Sequence, residues 1–181
     1  MKSVLGNVST WHDLKHTIDL EKVLRLPYKF YYFNCSENYY KVLIEKLKKL
    51  EIEVTDITDI NDNTEKVFWE SDELSRKYSY LNTSEIFELA YAKVNDMSLL
   101  TNNFLLFDAA KQENVVVFEI SHILNLMLLK NMFDLKEYNS ANKKLRNLLS
   151  QKKRNRVIKN HSVVEKLIIE EEEDKLNTRR A

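Results

Sequence analysis

Ser121, His122 and Asp108 are the residue types of a nucleophilic hydrolase, in which an imidazole takes the hydroxyl proton and a carboxylate orients the imidazole. No glycine-flanked nucleophile turn surrounds Ser121, and a histidine inside the apolar run that begins at Ile120 fits a core or boundary position better. Cys35 with His12 or His16 would make a thiol–imidazole pair, against the plainer role of a buried structural thiol. His12, His16, His122 and His161 are scattered and accompany a single cysteine, which excludes a thiolate zinc cluster. Lys152, Lys153 and Arg154, with Arg156 and Lys159, could neutralise phosphates, the first step in holding RNA, or could form a solvated helix face. Trp11, Trp69 and the tyrosines 28, 31, 32, 39 and 40 could stack on bases, although their alternating or helical spacing also suits a core. Glu85 lies in a helix's first turn, where the macrodipole favours an acid with no metal involved.

These residues need a scaffold, and composition narrows the choice. The chain has 181 residues, 44% of them hydrophobic, and its 28 Lys and Arg balance 28 Asp and Glu. That balance removes any general attraction to nucleic acid and leaves only local patches to supply it. Gly6 and Pro27 are the only glycine and proline, so folds built on many tight turns are excluded and helices joined by Asn, Asp and Ser turns are expected. A lone cysteine excludes an internal disulfide. The opening residues lack a signal-peptide apolar region, and no run reaches the roughly 20 apolar residues of a membrane span, so a cytoplasmic protein without membrane contact is expected.

Hydrophobic periodicity predicts a strand at Lys2–Leu5 and a helix capped by Ser9 or Thr10 that carries Trp11, Leu14 and Ile18. A short helix follows at Leu20–Leu26, then a strand at Lys29–Phe33, a helix opening at Ser36 and a strand at Glu51–Ile57. Further helices are predicted at Glu65–Tyr78 and after a cap at Thr83 or Ser84. Met97–Thr101 and Val115–Phe118 read as buried strands, with a helix between them and an apolar helix at Ile120–Leu129 after them. Helix–strand units in succession predict an α/β fold of three layers, a central parallel sheet flanked by helices. Residues 1–149 form one domain in this reading, and 150–181 a charged, helical tail with an acidic block from Glu170 to Asp174.

Several segments, in order, resemble the PIN-domain family of metal-dependent ribonucleases, in its branch of VapC-like toxins from toxin–antitoxin pairs. Asn7-Val-Ser-Thr-Trp-His-Asp13-Leu14 resembles the family's first strand and turn, with Asn7 at the position of an aspartate. Leu26-Pro-Tyr-Lys-Phe30 resembles the segment before the second acidic position, where Glu37 or Asn38 falls. Ser84-Glu85-Ile-Phe-Glu-Leu-Ala90 looks like the helix bearing the third acid, at Glu85, and Ser98-Leu-Leu-Thr101-Asn-Asn103 looks like the strand end that presents the fourth, at Asn103. Val115 to Asp134 resembles the final strand and helix.

The resemblance implies acids gathered at one sheet edge around Mg²⁺ or Mn²⁺, with Asn7, Glu37, Glu85 and Asn103 in the ligand positions and Glu85 and Glu37 as the catalytic carboxylates. Hard divalent cations need anionic oxygens, both to be held and to activate water. Asparagine at 7 and 103 keeps the shape of aspartate with a neutral carbonyl, so two anions stand where about four are expected. Asp13 and Asp108 are the nearest candidates to compensate. The resemblance therefore implies a nuclease-related protein with weak or no activity, using Mg²⁺ or Mn²⁺ if active and no cofactor otherwise. Its implied partners are RNA, an antitoxin-like protein and a second copy of itself, and Lys152, Lys153, Arg154 and Arg156 are its candidate RNA contacts.

Overall fold

A computed structural model describes residues 2–34, 41–56 and 63–150. Five strands alternate with helices: β1 (Lys2–Asn7), α1 (Val8–Thr17), α2 (Leu20–Val23), β2 (Tyr28–Asn34), α3 (Lys41–Lys49) and β3 (Glu53–Asp56) come first. They are followed by α4 (Thr64–Lys77), α5 (Thr83–Val94), β4 (Ser98–Leu100), α6 (Phe104–Gln112), β5 (Val117–Phe118), α7 (Ile120–Leu129) and α8 (Leu135–Leu149). The chain divides into two compact units, one ending at Ile120 and the other beginning at Ser121. Among the described residues no helix is long and apolar enough to cross a membrane.

The first unit is the α/β fold that periodicity predicts. All its strand pairs are parallel, in the order β3-β2-β1-β4-β5. β1 is central, pairing Val4 with Phe30 on one side and with Ser98 on the other. Val4, Leu5, Leu99, Leu100, Val117 and Phe118 are all buried. A strand buried at successive residues is covered on both faces, which is what crossover helices do to a parallel sheet. On one face Leu5, Phe33, Leu99 and Val117 join Leu74 of α4, Leu89 of α5 and Leu106 of α6 in a single apolar cluster. On the other, Trp11 of α1 meets Phe30 edge to face at 5.8 Å and donates its indole N–H to the Tyr31 carbonyl. Each fully buried leucine or aromatic in these layers contributes about 1.5–3 kcal/mol. Tyr28 and Tyr32 are core residues as their spacing suggests, whereas Trp69 is 67% exposed and is not.

With one glycine available, the helices end on other residues. Glu51, Asp96, Asn114 and Asn131 follow α3, α5, α6 and α7 with φ between 50° and 59°. Each is succeeded by an apolar residue, Ile52, Met97, Val115 or Met132, whose N–H reaches back five residues to a helix carbonyl at 2.8–3.1 Å. This is the Schellman arrangement, usually built on glycine. Asparagine and aspartate tolerate the left-handed region best among the alternatives; Glu51 has no such local help.

Helix starts differ from expectation in a way that matters for the site. α1 is capped by Asn7, not by Ser9 or Thr10, and α5 by Asn82, not by Thr83 or Ser84. An asparagine accepts from the N–H two or three residues on as well as a hydroxyl does, and in each case it stands earlier in the chain. In the second unit, α8 begins with a capping box between Asp134 and Glu137, and the Tyr138 hydroxyl donates to Asn125 of α7 at 2.6 Å. Ser121 and His122 at its start are buried.

Candidate functional site

In an open α/β sheet, the crevice lies beyond the strands' carboxyl ends where the strand order reverses. Here the reversal falls between β1 and β4: Asn7 closes β1 and leads directly into α1, while Asn102 and Asn103 follow β4 after the buried Thr101 and lead into α6. Asn7 is the cap of α1 and Asn103 the cap of α6, so two helix N-termini open toward the same edge. α5, packed against β1 and β4, supplies the acids.

The three asparagines share one arrangement. Asn7 Oδ1 accepts from the Thr10 N–H at 2.9 Å and from the Ser9 and Thr10 hydroxyls, which leaves its Nδ2 to donate to Glu88 Oε2 at 2.7 Å. Asn103 Oδ1 accepts from the Leu105 N–H at 2.9 Å, and its Nδ2 donates to Glu85 Oε1. Asn102 Oδ1 accepts from the Ile120 N–H at 3.3 Å, and its Nδ2 faces Asp13 Oδ2 at a longer 3.4 Å. A backbone N–H can only donate, so each carbonyl oxygen is fixed toward the backbone and each amide nitrogen toward a carboxylate. Three acids are thereby each faced by an uncharged donor.

Glu88 is the residue that sequence reading missed. It lies one turn along α5 from Glu85, fully buried, and its Oε1 has no hydrogen-bond partner among the described residues. Burial pushes its carboxyl up to about 8, against the pull of the Asn7 hydrogen bond and with help from the nearby Glu85 charge. The signal was available: an acid three residues after Glu85, set between Ile86 and Leu89 on a face otherwise apolar. Glu85 itself is half-buried and doubly used, since its second oxygen accepts from the Asn82 N–H at 2.9 Å to complete a capping box.

Of the predicted site residues, Asn103 is bonded to Glu85, while Asn7 is bonded to Glu88 one turn along the same helix and Asn102 faces Asp13. Asp108 lies on α6 beyond Asn103 and is half-buried. Glu37 and Asn38, the alternatives for the second acidic position, lie outside the described residues, as do Cys35 and the basic run of Lys152, Lys153, Arg154 and Arg156.

The described residues of this edge do not by themselves fit a Mg²⁺ or Mn²⁺ ion. Such an ion needs oxygen lone pairs turned inward. Here the amide oxygens are committed to helix caps and backbone donors, and the amide N–H₂ groups are turned toward the carboxylates. Among the described residues, no three His, Cys, Asp or Glu side chains come together as a ligand set. No protein-family model matches the chain, and no curated protein is significantly similar to it.

Proposed function

We propose that this chain is a PIN-like domain of toxin–antitoxin type in which amide donors have taken the place of the catalytic cation, and that it acts by binding and not by hydrolysis. The supporting observation is the pairing of Asn7 with Glu88 and of Asn103 with Glu85 at the switch point. An aspartate in either place would keep the cap through one oxygen and turn the other, negatively charged, at a glutamate. That arrangement demands a cation or a proton; the asparagine amide supplies two N–H dipoles and needs neither. The edge keeps its shape and gives up the charge that would hold a metal and activate water. Its role is then to bind RNA or a protein partner in the cytoplasm, with the basic run at Lys152–Arg156 as the phosphate-contacting arm.

Calorimetric titration with Mg²⁺ and Mn²⁺ tests this reading. The native chain is expected to give no saturable heat, and the double variant Asn7→Asp with Asn103→Asp to bind Mn²⁺ and begin cleaving single-stranded RNA. Metal-dependent RNA cleavage by the native chain that disappears in Glu85→Gln would overturn the proposal.

A further inference from the structure

His12 and His16 are four residues apart, and α1 turns that spacing into a pair on one face. The two Nε2 atoms are 3.2 Å apart, the distance of an N–H···N hydrogen bond whose proton a metal ion would displace, with ring centroids 4.4 Å apart and planes inclined at 57°. His16 is exposed and the His12 side chain is 41% exposed, so both rings reach solvent. Two imidazole nitrogens bound to one ion at about 2.0–2.1 Å stand about 2.9 Å apart at a right angle and about 3.4 Å apart at the tetrahedral angle. The observed separation lies between these limits.

The helix holds the pair in place from below. α1 is fixed at its start by the Asn7 cap and along its inner side by the buried Trp11 and Leu14, so little ordering remains when an ion arrives. The remote nitrogen of His12 also has a suitable neighbour. Its Nδ1 faces the Asp13 carboxylate, 3.9 Å from Oδ1, on the side where ligating imidazoles ordinarily carry an outer carboxylate. Asp13 is steadied in turn by Asn102.

The geometry points to a two-imidazole chelate on the exposed face of α1, formed by His12 and His16, that binds a first-row transition ion of the copper, nickel or zinc kind. Water fills the remaining positions, since among the described residues no third His, Cys, Asp or Glu completes the set. Imidazole suits these ions and not Mg²⁺ or Mn²⁺, so the site differs in chemistry from the amide–carboxylate edge, with which it shares Asp13 alone, and it stands whether or not the functional proposal does. Affinity should follow the order Cu²⁺ above Ni²⁺ and Zn²⁺, and should fall in acid because both Nε2 atoms must be unprotonated.

The test is titration of the full chain with copper(II) chloride at neutral pH, followed by calorimetry and electron paramagnetic resonance. One ion should bind with a two-nitrogen signature. His16→Gln and His12→Gln should each weaken that step by about tenfold or more and reduce the signature to one nitrogen, because an intramolecular second ligand is lost. Nickel(II) should raise the thermal midpoint of the native chain and leave both variants unmoved, while their midpoints without metal match the native one. Copper affinity unchanged in both single variants, or a two-nitrogen signature that survives in the double variant, would overturn the assignment and locate the binding at other nitrogens such as His161 or the amino terminus.

Discussion

Replacing Glu88 with glutamine should make the protein more stable in alkali and leave it almost unchanged in acid. The native carboxyl is fully buried, bonded to Asn7 through one oxygen only, and burial pushes it up to about 8 from an ordinary 4.5. A raised carboxyl favours the folded state fully below the unfolded value, and that advantage drains away as pH climbs toward the folded value. Between these limits the folded chain binds more protons than the unfolded one, so the slope of stability against pH is negative. Each pH unit in the window contributes about 1.4 kcal/mol, so the native chain should lose about 4 kcal/mol between about pH 5 and pH 9 from this group alone. Glutamine keeps the acceptor for Asn7 and cannot ionise, so the variant lacks this term. Urea unfolding of both proteins at about pH 5, 7 and 9 isolates it, because titrating groups that do not interact with position 88 cancel in the difference between them. The variant's advantage should be near zero at the acid end and grow to several kcal/mol at the alkaline end. A difference flat to within about 1 kcal/mol across that range would refute the claim that Glu88 is buried without a compensating cation.

Two further outcomes concern glycine. A Cβ added at Gly6 would stand 3.1 Å from the Trp11 indole nitrogen and 3.5 Å from the Leu100 carbonyl, and Trp11 is too firmly packed and hydrogen-bonded to yield. Gly6→Ala should therefore cost about 1–3 kcal/mol and alter the Trp11 contribution to fluorescence; an unchanged denaturation midpoint would contradict this packing. Glu51→Gly removes a Cβ from a residue at φ 59° and should raise stability by about 0.5–1 kcal/mol, read as an increase in thermal midpoint. A loss of stability there would mean that the Glu51 side chain contributes more than its backbone strain costs.

Much of this fold was legible from periodicity, because its elements are strongly patterned. Trp11, Leu14 and Ile18 mark α1, Val115 to Phe118 marks the last strand, and the apolar run Ile120–Leu129 matches α7 end for end. The caps were less legible, since Ser9, Thr10, Thr83 and Ser84 compete with an asparagine just upstream and local propensity cannot rank them. The site divides along the same line. Asn7, Glu85 and Asn103 stand at strand and helix ends and were singled out by the family resemblance, not by their spacing. Glu88 escaped because a lone acid in a helix is ordinarily read as solvent-facing, and only the tertiary fold turns it inward. The relation between His12 and His16 was hidden by counting histidines along the chain, where four look scattered, and not around a helix, where two share a face.

The central position of β1 bears on how the chain is made. Val4 and Leu5 leave the ribosome well before Ser98 and Leu99, which close the inner side of their strand and follow by about 94 positions. At about 5–20 residues per second, the first strand waits some 5 to 20 seconds for that partner while β2 arrives early and can hold only one of its edges. During that interval the exposed edge and the apolar face around Leu5 have to be kept from other chains, so nascent-chain protection and synthesis speed should govern the yield of this protein more than the stability of its finished sheet.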